Sequence, residues 1–448
     1  MRGAKNTTAT SRDPDRAMHW TARLALVTAA AAVLNLLVAA GLRGIAVLAL
    51  GAAGLAVTAA AVWWALAHRG LLRALAVMLA LAVPVALLVH YALIGLLWPV
   101  ALSLVLWAGA ALAARAALGM DARPIRAVEH SAAPPKRPFL IMNPRSGGGK
   151  VGRFDLVAKA QRLGAEVVVL DPAHPQDVSG LAQEALADGA DLLGVAGGDG
   201  TQALVAGVAA QHDVPFMVVS AGTRNHFALD LGLDRDDPST CLDALTDGVE
   251  IRVDLGVIGD RVFVNNASFG TYAAVVQSPA YRDDKVPTIL RALPDLLTHQ
   301  AGPRLTVHAA NVTIDAPQAV LVSNNPYRMG DSAGLGRRPR LDSGVLGVLG
   351  VTVDNAAQAA GMLRGAGASG LTALTSQEAV IEADTAEIPV GVDGEALTLP
   401  TPVRCRIRPG ALRVRVPRHR QAAFSAKPHL SWRRVGQLAF ATRHARAA

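Results

Sequence analysis

The stretch LLGVAGGDGTQALVAGVAA, residues 192–210, passes from a short apolar run through Gly197-Gly198-Asp199-Gly200-Thr201 into a segment of helical spacing. A buried strand that opens through glycines into a helix marks a parallel α/β unit. The loop then lies beyond the carboxyl end of a strand, where such sheets bind their ligands. Glycines let a phosphate approach the backbone, and Thr201 adds a hydroxyl donor. Asp199 repels a bare phosphate, so it requires a metal ion or a ribose hydroxyl in between. The alternative is that Asp199 caps the helix Thr201–Ala210.

The same texture extends outward. FLIM (139–142), EVVVL (166–170) and FMVVS (216–220) read as further strands of a parallel, doubly wound sheet. Phe154, Val157 and Ala158 belong to one helical pattern. Val178, Leu181, Ala182, Ala185 and Leu186 fall on one face of another, with Asp177 as its N-cap. Two more loops follow strands: NPRSGGGK (143–150) and AGTRN (221–225). The first is not a Walker A motif, because Val151 follows Lys150 where Ser or Thr is needed. It can still offer backbone N–H groups to an anion. Three such loops on one sheet edge favour nucleotide binding over plain turns.

From about Gly256 the segments become short, β-branched and separated by turn residues: VFVNN (262–266), RLTVHA (304–309), VTIDA (312–316), AVLVSNN (319–325), VLGVLGVTV (345–353), AVIEADT (379–385), VRCRIRP (403–409) and LRVRV (412–416). They predict an antiparallel, sandwich-like second domain, with helical stretches near Val286–Gln300 and Asn355–Gly365. In Asp393-Gly394-Glu395 the Asp-Gly pair is a hairpin signal, which makes Glu395 a turn carboxylate on the bland reading.

NPRSGGGK, GGDGT, AGTRNHFALDLGL (221–233), VDLGVIGDRVFVNNASFG (253–270), LDSGVLGV (341–348) and VDGE (392–395) stand in the order seen in the diacylglycerol kinase catalytic domain family. The resemblance covers about Pro138–Val416. GGDGT alone also suits NAD kinases and phosphofructokinases; the later Gly-Thr-x-Asn-x-Phe-Ala and Asp-Gly-Glu make the match far more specific. The resemblance implies that ATP contacts Asn143, Pro144, Arg145, Ser146, Gly147, Gly198, Asp199, Gly200, Thr201, Thr223 and Asn225. It implies Glu395 as the general base on a lipid hydroxyl and Asp199 as its catalytic companion at Mg-ATP. It also implies a structural Mg²⁺, for which Asp254 and Asp342 are the candidate ligands here. The chain departs from the family pattern at that metal. His226 and Ser343 replace two acidic residues, and Gln202-Ala203-Leu204 stand where Asn-Glu commonly continues GGDGT. Either the metal site is lost, or Asp342 and backbone carbonyls rebuild it.

The 448 residues are 52% hydrophobic and 17% charged, below the share of about 25% in soluble domains. The deficit is concentrated in Thr21–Leu118, which holds no Asp or Glu. Thr21–Leu42, Gly44–Ala67, Leu71–Gly95 and Trp98–Leu118 are each close to the roughly 20 residues that cross a bilayer. No polar stripe is present for a soluble bundle to show to water. Basic residues gather in the N-terminal arm, at Arg69 and Arg73, and after Arg115, which puts the N-terminus and the kinase-like region in the cytoplasm of a multi-pass membrane protein. Two isolated thiols, Cys241 and Cys405, fit a reducing compartment.

The expected organisation is an arm (1–20), four membrane helices (21–118), a Pro-rich linker (119–138), the α/β ATP-binding domain (139–255), the β-rich lipid domain (256–416) and a basic tail (417–448). The tail carries seven Lys or Arg residues and no acid, which suits an anionic membrane surface or a solvated disordered segment. No nucleic-acid recognition motif accompanies the net charge of +8. The sequence thus points to a membrane-anchored lipid kinase using ATP and Mg²⁺ on a membrane lipid, diacylglycerol foremost. The alternatives are an NAD-kinase-like enzyme and a non-catalytic membrane protein that binds nucleotide or lipid.

Overall fold

The computed structural model describes residues 14–41, 43–68, 70–121, 127–174, 176–270, 303–327, 337–352, 370–420 and 430–440. The chain divides into two units, one of residues 1–62, 75–123 and 425–448, the other of 63–74 and 124–424.

The first unit is built on α1 (Pro14–Ala40), α2 (Arg43–Ala67), α3 (Gly70–Leu93) and α4 (Leu97–Asp121), although the adjoining ends of α2 and α3 fall in the second. All four helices are long and apolar enough to cross a membrane. Some of their few polar side chains bond between helices, as a medium without water favours, and others, such as Thr28 and Thr58, bond back to their own helix. Asn35 of α1 donates to Ser103 Oγ (2.9 Å) and to the Pro99 carbonyl (2.8 Å) of α4, and Ser103 donates back to Ala32. Tyr91 of α3 donates to the Val47 carbonyl of α2 at 2.9 Å. Part of the basic tail forms the helix Trp432–Phe440, whose Val435, Leu438 and Ala439 pack on Ala22 of α1 and Ala117 of α4. Arg23 donates to the Ala439 carbonyl and His19 Nδ1 lies 2.6 Å from that of Leu438. These contacts occupy carbonyls that a helix C-terminus leaves open.

In the second unit a two-residue β1 (His130–Ser131) precedes β2 (Pro138–Met142), β3 (Glu166–Val169), β4 (Leu192–Ala196) and β5 (Phe216–Val219), and the last four pair in parallel in the order β3-β2-β4-β5. The connections carry α5 (Lys150–Arg153), α6 (Leu156–Arg162), α7 (Val178–Ala187), α8 (Asp199–Gln211) and α9 (His226–Asp230). Asp177 caps α7 through the Gly180 N–H, and Ala182 and Ala185 are buried as their spacing predicts.

Then follow β6 (Gly248–Ile258), β7 (Arg261–Phe263), β8 (Asn266–Gly270), β9 (Leu305–Ala309), β10 (Val312–Asp315), β11 (Ala319–Asn324), β12 (Leu346–Val351), β13 (Leu371–Ser376), β14 (Glu378–Ala383), β15 (Glu387–Val392), β16 (Glu395–Pro400) and β17 (Val403–Pro417). Six of them form an antiparallel sheet in the order β13-β12-β11-β8-β15-β16. The others extend the first sheet. β17 lies antiparallel to β6 over most of its length and parallel to β5 at Val414 and Arg415.

Two expected strands are drawn differently. VFVNN is divided between β7 and β8, because the chain leaves one sheet for the other at Val264–Asn265. VRCRIRP and LRVRV are one strand with an irregularity between Arg408 and Leu412. β1, β6, β13, β15 and β16 went unread. The helical stretches expected near 286–300 and 355–365 lie outside the described residues, as do most of the N-terminal arm and parts of the linker and tail.

Candidate active site

The loops that follow β2, β4 and β5 are bonded to one another. After β2, Asn143 receives the Arg145 N–H on its side chain and gives its own N–H to the Ala196 carbonyl at the end of β4. Gly147, Gly148 and Gly149 are all left-handed, with φ of 56°, 68° and 83°, a path that side chains oppose. A Cβ on Gly147 would strike the Ala221 carbonyl, so the loop after β2 lies against the loop after β5. Lys150 lies along the loop with its stem beside Gly147, and its Nζ donates to the Arg235 carbonyl at 2.6 Å. Arg145 is exposed and, with Asn143, Asp171, His174 and Gln176, lines a cavity of about 310 Å³. His174 and the Ala173 N–H hold the Asp171 carboxyl below its usual range.

Asp199 does not cap its own helix. Gly198 is the N-cap of α8 and makes no side-chain bond, while Asp199 is the first helical residue. Its carboxylate reaches across to the amino end of α9, at 3.3 Å from the His226 N–H nitrogen and 3.4 Å from that of Phe227. Both bonds are long, which leaves most of the carboxylate's accepting capacity unused. Asn225, left-handed at φ 42°, turns its side chain inward, where Oδ1 accepts from Gln202 at 3.1 Å. Asn225 Nδ2 and Gln202 Oε1 are buried without a partner. Thr223 is exposed beside them.

Glu395 comes to this loop from the second sheet. Val392 pairs with Glu395 across a two-residue turn in which Asp393 and Gly394 both have positive φ, the geometry an Asp-Gly pair favours. The Asp393 carboxylate accepts three backbone N–H groups, from Val264 (2.7 Å), Asn265 (2.8 Å) and Asn266 (3.0 Å). Burial pushes its pKa up to about 7 against those donors, with the Asp199 charge adding to the rise. The turn is therefore fixed to the crossing between β7 and β8. Glu395 follows at once and is exposed. A Cβ built on Gly200 would lie 2.8 Å from its carboxyl carbon and 2.9 Å from Cγ. Glu395 thus rests over the third glycine of GGDGT, in space that only a glycine leaves free.

The candidate metal ligands are engaged elsewhere. Asp254 is buried, and its two oxygens accept the N–H groups of Gly344 (2.7 Å) and Gly410 (2.8 Å). Asp342 pairs with Arg340 at 2.8 Å. Ser343 donates to Asn325, and no group of three or more His, Cys, Asp or Glu that could hold a metal occurs among the described residues. These residues do not fit a resident divalent cation. Sequence reasoning also missed Asp230 and Arg338, a buried ion pair at 2.6 Å. Nothing in GRRPRLDSG (336–344) distinguishes that arginine from its neighbours Arg337 and Arg340.

Residues 137–258 match the diacylglycerol kinase catalytic domain. A diacylglycerol kinase of Mycobacterium tuberculosis is 33% identical over 136 residues, 30% of this chain, and the chain spans 44% of that protein's length. A "Probable lipid kinase YegS-like" of Pseudomonas aeruginosa is 30% identical over 293 residues, covering 62% of this chain and 94% of the relative. The chain belongs to the diacylglycerol kinase catalytic domain family. Among solved structures, a diacylglycerol kinase of Bacillus anthracis aligns with a TM-score of 0.45 at 17% identity, over 62% of this chain and 96% of that one. The family's matched segment contains all three sheet-edge loops, whereas Glu395 lies beyond it.

Proposed function

We propose that this protein is a membrane-embedded lipid kinase that transfers the γ-phosphate of ATP to a lipid hydroxyl, with diacylglycerol as the acceptor. The observation that carries the reading is the unbonded carboxylate of Glu395 laid over Gly200 of the GGDGT loop. Among the described residues it makes no hydrogen bond or ion pair, and a carboxylate in that condition is free to take a proton.

In this reading the phosphates of ATP lie against the backbone of Ser146–Gly149 and the first turn of α8, whose free N–H groups and dipole favour negative charge. Arg145 offsets further charge, and the cavity beside it takes part of the nucleotide. Asp199 would hold the Mg²⁺ that ATP brings as part of the substrate, and that ion would offset charge on the phosphates. Glu395 takes the proton of the lipid hydroxyl as that oxygen bonds to the γ-phosphorus. The bond to the bridging oxygen breaks, and ADP leaves with the electron pair. Positioning and charge compensation carry most of such a transfer.

The four apolar helices hold this machinery where its lipid resides. The basic residues flanking them favour a cytoplasmic placement of both chain ends and of the site, on the side that supplies ATP. A periplasm-dependent reporter fused after Ala448 is expected to be silent; an active one contradicts this orientation.

The reaction is tested with purified full-length chain in lipid nanodiscs, γ-labelled ATP, and a panel of diacylglycerol, sphingoid base, monoacylglycerol and NAD. Label is expected in the product of diacylglycerol. Label in another lipid corrects the acceptor, label in NAD favours an NAD-kinase-like enzyme, and no label with intact ATP binding favours a binding protein.

A further inference from the structure

Beneath the candidate site lies a cage made entirely of oxygen atoms. Its walls are the Asp230 carboxylate at the end of α9, the Val264 carbonyl and Asn265 side-chain oxygen at the crossing between sheets, and the Asn324 carbonyl at the end of β11. One carboxylate and three neutral oxygens are the donor set of a hard cation. The occupant is the guanidinium of Arg338. Its Nε donates to Asp230 at 2.6 Å, one terminal nitrogen to Val264 at 2.6 Å and Asn324 at 2.8 Å, and the other to Asn265 at 2.7 Å. The side chain is fully buried, and the Tyr327 ring centroid lies 5.7 Å from its central carbon.

The surrounding loop is closed by protein groups as well. Ser343 donates to Asn325, and the Gly344 N–H satisfies one oxygen of Asp254. Of the two carboxylates that the family resemblance assigns to a structural metal, Asp254 already accepts an N–H on each oxygen, and Asp342 pairs through one oxygen with Arg340. We infer that in this chain a resident arginine, Arg338, does the work of a structural divalent cation, drawing α9, the sheet crossing and β11 together without bound metal.

The chemistry supports the exchange. A guanidinium is permanently charged, planar and able to serve several oxygens at once. A buried Asp230 requires a cation near it, since an uncompensated buried charge is strongly unfavourable. Burial pushes Asp230 up, and Arg338 acts against that shift. α9 also receives the Asp199 carboxylate at its other end. The cage therefore anchors the far end of the helix that Asp199 leans on. The inference concerns the fold around the site and holds whether or not the lipid-kinase reading is correct.

The test uses the full-length chain, purified in detergent without chelators and studied without nucleotide. Metal content is measured by mass spectrometry, and unfolding temperature is measured with EDTA, Mg²⁺ or Ca²⁺. The wild type should contain far less than one divalent cation per chain and unfold within about 1 °C in all three conditions, because no linked ligand is present. Arg338→Ala should unfold about 10 °C lower, having lost a buried pair. Mg²⁺ or Ca²⁺ should then restore about half of that loss by entering the emptied oxygen cage. Stoichiometric metal in the wild type, or loss of its stability in EDTA, overturns the inference. So does an Arg338→Ala variant that is as stable as wild type, or one that is destabilised and indifferent to both cations. If Arg338→Ala does not fold, the wild-type metal content and EDTA response decide alone.

Discussion

Five carboxylates gather around the junction of the two sheets, and they fall into two sets. Asp230, Asp254 and Asp393 form the inner set. Asp230 meets a guanidinium, Asp254 accepts two backbone N–H groups, and Asp393 accepts three. Asp199 and Glu395 form the outer set. Asp199 has two long contacts at 3.3 and 3.4 Å, and Glu395 has no bonded partner among the described residues. The difference between the sets is saturation. An acid held by short bonds from protein donors keeps chain segments in register, and its removal leaves those donors stranded. An acid with spare lone pairs at the mouth of a glycine loop is available to a proton or a cation. Asp393 and Glu395 show this most sharply, being two residues apart on one turn with opposite surroundings.

The comparison predicts opposite phenotypes for the two sets. The largest effect belongs to Glu395→Gln. It keeps the shape and removes the base, so turnover should fall by about 10²–10⁴-fold while unfolding temperature and ATP affinity stay near wild type. Near-normal turnover would remove Glu395 from the reaction, and lost ATP binding would move it to the nucleotide. A smaller and different effect is expected for Asp393→Ala. Three backbone N–H groups lose their acceptor, for a cost of about 3 kcal/mol. Thermal unfolding should show it as a decrease of roughly 5–10 °C. An Asp393→Ala protein with unchanged unfolding temperature would erase the distinction between the sets.

The sequence made the parallel sheet legible because β2, β4 and β5 are short apolar runs, each ending in a loop of glycine or small polar residues. The α7 face and its Asp177 cap were legible for the same local reason. Long-range partnerships were not. Nothing in GGDGT announces that its third glycine lies under Glu395, since that contact joins the first turn of α8 to a strand nearly 200 residues away. Asp199 read as a ligand group, with a helix cap as the lesser alternative, and its place inside the first turn of α8, reaching toward α9, shows that it does not cap that helix. In Asp-Gly-Glu the hairpin signal was correct, but the structural acid is Asp393 and not Glu395. The Asp230–Arg338 pair was invisible because charge alone does not reveal burial. The pairing of β17 with β5 was hidden because a strand's partner is not written in its own periodicity.

The central claim is that the Gly200 contact delivers Glu395 to the reacting hydroxyl, and a double-mutant cycle tests it most directly. Gly200→Ala gains helix propensity of up to about 1 kcal/mol and displaces only a flexible exposed side chain, so the protein should stay folded. Its Cβ occupies the space of the Glu395 carboxyl, and turnover should fall by about tenfold, on the order of one misplaced contact. If the glycine acts through Glu395, the two changes are not additive. Turnover on diacylglycerol in nanodiscs, at saturating ATP, is measured for wild type, both single variants and Gly200→Ala/Glu395→Gln. The account predicts that the double variant turns over at the rate of Glu395→Gln alone. A double variant slower by the full product of the two single losses would contradict it.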